Sequence, residues 1–458
     1  MDDNKDVVDK DGLQLSLRTP EMRRILTSSF IGSAIEFYDF ILYATASSIV
    51  FAQLFFSGLG PGLSLFASFS TLAAGYLARP LGGVIFGHFG DRIGRKTALI
   101  VSMLMMGSVT VLIGLMPSTA SIGMFAPAAL FTLRIIQGIA VGGEWGGAAL
   151  MALEHAPKAR RGLAAAFANA GGPAGAILAT LVLSLTATLT GDDFVTWGWR
   201  LPFLLSAVLI VVGLIIRLKV SETPAFQQLE DESDEKKVPL LTVFKQYKRQ
   251  VLIALLATMT IYVTQGLTTV WGVSVAVAAG EDKSEVLNWK AVGALTTLIV
   301  TFVVARLSDR IGRKRALIGA HAVAAVSALP IVLLINSGEI DKYALAIILG
   351  NGVVQGLCFG PIAAYVSELL PPAVRYTGAS VGYQFAAALG AGLSPMIASA
   401  LIMIPGTGPY LIGGVWALIA IAGIVAVALG RPYVEPSPER APEPVNKFEE
   451  PVTQSAEA

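Results

Sequence analysis

A single cysteine, Cys358, stands in an apolar stretch of this 458-residue sequence, so no intrachain disulfide can form and no Cys-x-x-Cys metal framework exists. Histidine is almost as scarce. His88 and His155 border polar loops and His321 opens an apolar segment; no two are spaced as ligands, so no metal site is expected. The sequence also lacks the Gly-x-x-x-x-Gly-Lys-Ser/Thr loop that cradles nucleotide phosphates. Charge is thin as well, at 14% of residues against roughly 25% in soluble domains. The net charge of +1 offers no broad basic surface for nucleic acid. The opening residues, rich in Asp and Lys through position 12, lack the basic-then-apolar pattern of a leader, and no cleavage is expected.

What remains is apolarity: 54% hydrophobic residues and a mean hydropathy of +0.68. A hydrocarbon core about 30 Å thick is crossed by roughly 20 apolar helical residues. Twelve windows meet that length, the first at 25–55, the eighth a short one at 289–305, and the last at 409–430. Lys and Arg crowd alternate loops: Arg92, Arg95 and Lys96, then Lys158, Arg160 and Arg161, then the central segment, then Arg306 to Arg315. The intervening loops hold almost none. The positive-inside rule therefore places the basic loops and both termini in the cytoplasm.

Asp-Arg-Ile-Gly-Arg-Lys occurs twice, at 91–96 and at 309–314, each time between two apolar windows. The 218-residue offset is too long for a solenoid period and implies a duplicated domain. Gln137-Gly138 returns as Gln355-Gly356 at that same offset. The expected organisation is a cytoplasmic N-terminal segment at 1–22, a six-helix bundle at 23–219, a cytoplasmic linker at 220–248, a second six-helix bundle at 249–430, and a disordered cytoplasmic tail at 431–458. The fold class expected is an all-α membrane protein of twelve transmembrane helices in two pseudo-symmetric halves. Small residues at spacing four, such as Gly138 with Gly142, let helix backbones approach closely in lipid.

An ionised side chain at the centre of a membrane helix costs about 2.5 to 3.5 kcal/mol even on the lenient scale, so each one demands a reason. Glu36 and Asp39 lie three apart in the first window, about 17 to 21 Å from its start. Arg79 falls in the second window and Arg134 in the fourth, with Glu144 ten residues further on. Burial and a neighbouring guanidinium push the proton affinity of a carboxyl in opposite directions, which makes a proton-exchange site physically available. Guanidinium keeps its proton and binds carboxylates through a planar fork. Glu36 and Asp39 are thus candidates to carry the proton, with Arg134 and Glu144 in the proton-coupling set, and Arg79 or Arg134 is the candidate for holding an anionic group. Permanent salt bridges between helices are the competing explanation. The second half offers Tyr262, Gln265, Gln355, Tyr383 and Gln384 as polar groups that line a path or join helices; Tyr38 is a further candidate for substrate contact.

The duplicated loop lies too near the surface to touch a mid-membrane ligand. Gly87, Asp91, Arg92, Gly94, Arg95 and Lys96, with Asp309, Arg310, Gly312, Arg313 and Lys314, suit a conformational latch in which the aspartates cap helix ends or pair with arginines. Glu154 with Arg161 and Glu368 with Arg375 belong to the same charged ring.

The Gly87-to-Lys96 loop and its second copy resemble the major facilitator superfamily. Glu36-Phe37-Tyr38-Asp39-Phe40, Ala78-Arg79-Pro80-Leu81-Gly82-Gly83, Arg134-Ile135-Ile136-Gln137-Gly138 and Trp199-Arg200-Leu201-Pro202-Phe203 resemble its metabolite:proton symporter family, over about 22–430. That resemblance implies a bacterial plasma-membrane protein that imports an organic acid, shikimate or another small carboxylate, with a proton as the coupling ion and with no other cofactor. No enzymatic activity is expected, since no nucleophile, metal cluster or phosphate loop appears, and a lipid-embedded monomer with no nucleic-acid partner is expected. A zwitterion carrier of the proline/betaine type is the alternative, although the tail here lacks the coiled coil of those members. A non-transporting membrane sensor is a second alternative, for which linker and tail are short. Arg306-Leu307-Ser308-Asp309 lacks the leading glycines of the first loop, and Gly172-Pro173 matches only part of the superfamily's antiporter signature.

Overall fold

The computed structural model describes residues 19–93, 95–142, 152–153, 156, 160–218, 243 and 245–433. Twelve long helices cross the molecule, and no strand occurs among the described residues. In the first half they are α1 Pro20–Ile49, α2 Pro61–Ile93, α3 Arg95–Leu115, α4 Phe125–Gly142, α5 Arg161–Thr190 and α6 Arg200–Leu218. In the second half they are α7 Lys248–Ala278, α8 Lys283–Ile311, α9 Arg313–Asn336, α10 Ile340–Glu368, α11 Thr377–Leu401 and α12 Gly408–Leu429. Among the described residues nine of these are long and apolar enough to span a membrane, and α3 and α6 contain shorter apolar runs.

Local sequence sets the helix ends. Thr19 caps α1 by accepting a hydrogen bond from the Met22 amide at 3.2 Å, with Pro20 in the first helical position, where its missing N–H costs nothing. Asp282 caps α8 by accepting from the Glu285 amide at 3.0 Å. That cap corrects the eighth span. The apolar window starts at Trp289, but the helix begins at Lys283, because Lys283 and Glu285 break the hydropathy without breaking the helix.

In lipid there is little hydrophobic drive between helices, so close backbone approach must come from small side chains. A Cβ on Gly138 would strike the Gly75 carbonyl, one on Gly142 the Arg79 carbonyl, and one on Gly82 the Ile139 carbonyl. Helices α2 and α4 therefore touch through their backbones. Gly171 and Gly175 bring α5 onto α1 in the same way, against the carbonyls of Phe30 and Ala34. At the end of the first half away from the hexapeptide, Trp199 packs edge-on against Phe51, Phe55 and Phe203, and Arg200 Nη1 donates to the carbonyls of Gly114 and Met116 at the end of α3. The Trp199-to-Phe203 motif thus has a structural purpose.

The second half is built differently. Its helices α7, α10 and α11 each widen into a π turn, at Gly266–Trp271, Ile348–Gln355 and Ala388–Gly392. Such turns loosen the regular ladder and occur often at functional sites.

Candidate functional site

Helix α1 turns a different face to each neighbour. Phe37 and Ile41, one turn apart, line a narrow cavity between the halves, walled by α5 on the same side and by α7, α8 and α10 opposite. Phe40 points instead toward α2 and α4, and Asp39 toward α6.

Two buried guanidiniums share the Phe40 ring. The Arg79 Cζ lies 3.9 Å from its centroid and 4.6 Å from that of Tyr76; the Arg134 Cζ lies 4.0 Å from Phe40 and 4.0 Å from Tyr43. Phe40 and Tyr76 themselves meet edge-on at 4.4 Å. Gly75 makes the room, since a Cβ there would collide with the Arg134 side chain. A desolvated cation–π contact returns about 2 kcal/mol, less than the cost of bringing a charge to mid-membrane. Two like charges on one ring also repel, so the cage gathers positive potential where an anion is welcome. Arg79 sits where the halves meet: Tyr383 on α11 is within electrostatic reach of Arg79 and Glu36, and it packs edge-on against Tyr262 of α7 at 5.3 Å.

Asp39 has other company. Ser206 Oγ donates to Asp39 Oδ1 at 2.5 Å, and Thr110 stands near the same carboxyl while its hydroxyl donates to the Met106 carbonyl at 3.0 Å. Gln137 Nε2 donates to Thr110 Oγ1 at 2.7 Å, and Gln137 Oε1 accepts from Arg134 Nη1 at 2.5 Å. A polar chain therefore runs from Arg134 through Gln137 to Thr110, beside Asp39. The sequence reading allowed acids and arginines to pair directly, but Asp39 bonds Ser206 and Arg134 bonds Gln137, both neutral residues. A step of three residues leaves side chains about 60° apart around the axis, enough to aim Glu36 and Asp39 at different helices. A hydroxyl accepts or donates, so Ser206 suits both protonation states of the carboxyl.

Of the second-half candidates, Gln265 and Gln355 stand on the cavity wall. Gln384 instead donates to the Gly142 carbonyl at 3.3 Å, tying α11 to α4, and the Tyr38 hydroxyl donates to the Pro202 carbonyl at 2.7 Å, tying α1 to α6. Asn351 Nδ2 donates to Gln355 Oε1 at 2.5 Å, so each glutamine of the internal repeat accepts from a residue one turn earlier. Lys290, Thr269, Thr297 and Asn351 also line the cavity, and sequence reasoning passed over all four. Lys290 was the legible one: a lysine followed by fifteen residues without another charge.

On the hexapeptide side, Asp309 Oδ1 and Oδ2 accept from the amides of Gly162 and Leu163 at 3.0 Å each, so a second-half aspartate caps a first-half helix, α5. Asp309 also pairs with Arg313 at 3.1 Å, and Arg313 reaches Glu368 at 2.6 Å, with Arg161 and Arg375 in electrostatic reach of Glu368. Gly312 adopts φ 93°, a left-handed turn that favours glycine, between α8 and α9. Lys314 Nζ donates to the Ala428 carbonyl at 2.6 Å near the end of α12, whereas Arg310 is exposed. Gly94, Glu144 and Glu154 lie outside the described residues, as do the side chains at Gly87, Asp91, Arg92, Arg95 and Lys96.

The sequence matches the Major Facilitator Superfamily over residues 29–383. The chain belongs to that family. It is 38% identical over 413 residues to the inner membrane metabolite transport protein YhjE of Escherichia coli K12, covering 89% of this chain and 93% of that protein. Against the shikimate transporter of the same organism it is 36% identical over 392 residues, covering 84% and 89%; against its proline/betaine transporter, 31% over 396 residues, covering 83% and 78%. The fold matches the xylose transporter XylE from E. coli in a partially occluded inward open conformation, with a TM-score of 0.68 at 16% identity over 90% of this chain and 97% of that one. This is a membrane transporter of the major facilitator fold and not an enzyme.

Proposed function

We propose that this transporter imports a small organic carboxylate, shikimate or a close chemical relative, together with a proton, by alternating access, and that both termini face the cytoplasm of a bacterial cell. One observation carries the reading: two guanidiniums crowd a single aromatic ring at the meeting point of the halves, while a buried acid sits beside the far end of a polar chain from one of them. Glu36 and Asp39 take and release the proton, with Arg134 held by Gln137 and Thr110 on the side of Asp39. Arg79 draws the anion from the first-half side. Protonation and carboxylate binding each remove unbalanced charge from the cavity region, and each favours the rocking step. The basic hexapeptide loops then lie on the cytoplasmic side, with Asp309 on α5 as a latch that must release for inward opening.

Purified protein in proteoliposomes, acid outside, is expected to accumulate labelled shikimate or to have that uptake competed by other carboxylates. Accumulation of glycine betaine with no carboxylate competition would replace this reading with the zwitterion carrier, a reading supported by the 31% identical proline/betaine relative.

The latch has its own test. Losing a helix cap costs about 1 to 2 kcal/mol, so Asp309→Ala is expected to raise hydrogen exchange at the amides of Gly162 and Leu163 about 5- to 30-fold. Unchanged exchange there removes the latch.

A further inference from the structure

Alternating access requires the substrate to hold both halves, since a ligand with no differential contact shifts no equilibrium. The first half offers Arg79. From the sequence, the second half seemed to offer only neutral amides and phenols, yet the cavity wall contributed by α8 carries a lysine. Lys290 is 2% exposed, two turns into the helix, and its Nζ donates to Thr45 Oγ1 on α1 at 2.5 Å. The Thr45 hydroxyl gives its own hydrogen to the Ile41 carbonyl at 2.8 Å, so toward Lys290 it is purely an acceptor. A neutral hydroxyl is the only side-chain partner Lys290 has among the described residues, and no ion pair there includes it. The same wall brings Gln265, Thr297, Asn351 and Gln355, groups that hydrogen-bond hydroxyls.

We propose that Lys290 is the second half's anchor for the carboxylate of the transported substrate, and that the carboxylate displaces Thr45 as its partner. This rests on the carboxylate reading above. Lys290 and Thr45 belong to different halves, so the exchange does two things at once. It neutralises a buried cation and it cuts a bond that ties α1 to α8. Nearby, Ser184 on α5 donates to Asn288 on α8 at 3.0 Å, a second tie at the same level. Substrate binding thus weakens the contacts on the side away from the hexapeptide, and substrate departure restores them. The neutral groups around Lys290 set the preference for a hydroxylated acid over a bare one.

The probes are shikimate and its methyl ester, which differ in the one charge at issue. Wild type in proteoliposomes is expected to prefer the acid, measured as inhibition of labelled shikimate uptake. Lys290→Met fills the same volume without charge; it is expected to raise KM for shikimate about 10- to 100-fold and to bring the acid-over-ester preference close to one. Removing an unpaired buried charge should also raise the melting temperature of the purified protein, which separates lost binding from lost folding. Lys290→Gln, measured alongside, is expected to show the same loss of preference. An undiminished acid preference in both variants overturns the assignment while leaving carboxylate transport standing. Wild type that neither takes up shikimate nor is competed by carboxylates overturns the carboxylate reading and the anchor with it.

Discussion

Arg79→Ala is expected to abolish proton-driven carboxylate uptake, by at least about 100-fold, while the protein still reaches the membrane in normal amounts. The size follows from the setting. Removing one member of a desolvated charge contact costs about 2 to 5 kcal/mol, and Arg79 is 2% exposed. The fold should survive, because the guanidinium rests on rings of Phe40 and Tyr76 that still pack edge-on against each other. Arg79→Lys sharpens the test. It keeps the charge but not the planar fork or the flat stacking surface, so partial activity with a raised KM is the expected result. Near-normal uptake by Arg79→Ala, measured in the same vesicles as wild type, would strip Arg79 of its role and leave Arg134 and Lys290 as the buried cations for the anion.

The second large effect belongs to the proton. Asp39→Asn keeps the shape of the side chain and an oxygen for the Ser206 hydroxyl, but it has no proton to release. The variant is expected to lose accumulation against a gradient while retaining exchange of internal for external substrate. With one coupled proton, each pH unit supports about tenfold accumulation, so the difference between a ratio near one and a ratio near ten is measurable at a single imposed pH step. If Asp39→Asn still accumulates substrate and Glu36→Gln does not, the proton is carried on Glu36, the acid closer to Tyr383 and the meeting point of the halves.

Much of this was legible before any coordinates. The duplicated hexapeptide gave the two halves, and the cost of burying charge singled out Glu36, Asp39, Arg79 and Arg134, all of which are buried. The rest was hidden for physical reasons. Periodicity says which residues of a helix share a side but not which neighbour stands there, so it could not separate Asp39, on Ser206, from Glu36, near Tyr383. An apolar helix always contains aromatics, and nothing in the sequence marked Phe40 as the ring that two arginines would share. Lys290 fell inside the eighth apolar window but was passed over, and that window opened six residues late. A charged first turn looks like loop on a hydropathy scale, and only the Asp282 cap shows that the helix has already begun.

The backbone contact between α2 and α4 has one further consequence. Three glycines lock those helices together, and both cage arginines hang from that pair, so the first half behaves as a stiff lever whose charges keep their spacing as it tilts. Softness is concentrated across the interface, in the widened turns of α7, α10 and α11. In the proposed cycle the two sides are therefore unequal: one carries the paired arginines rigidly, and the other yields around the cargo.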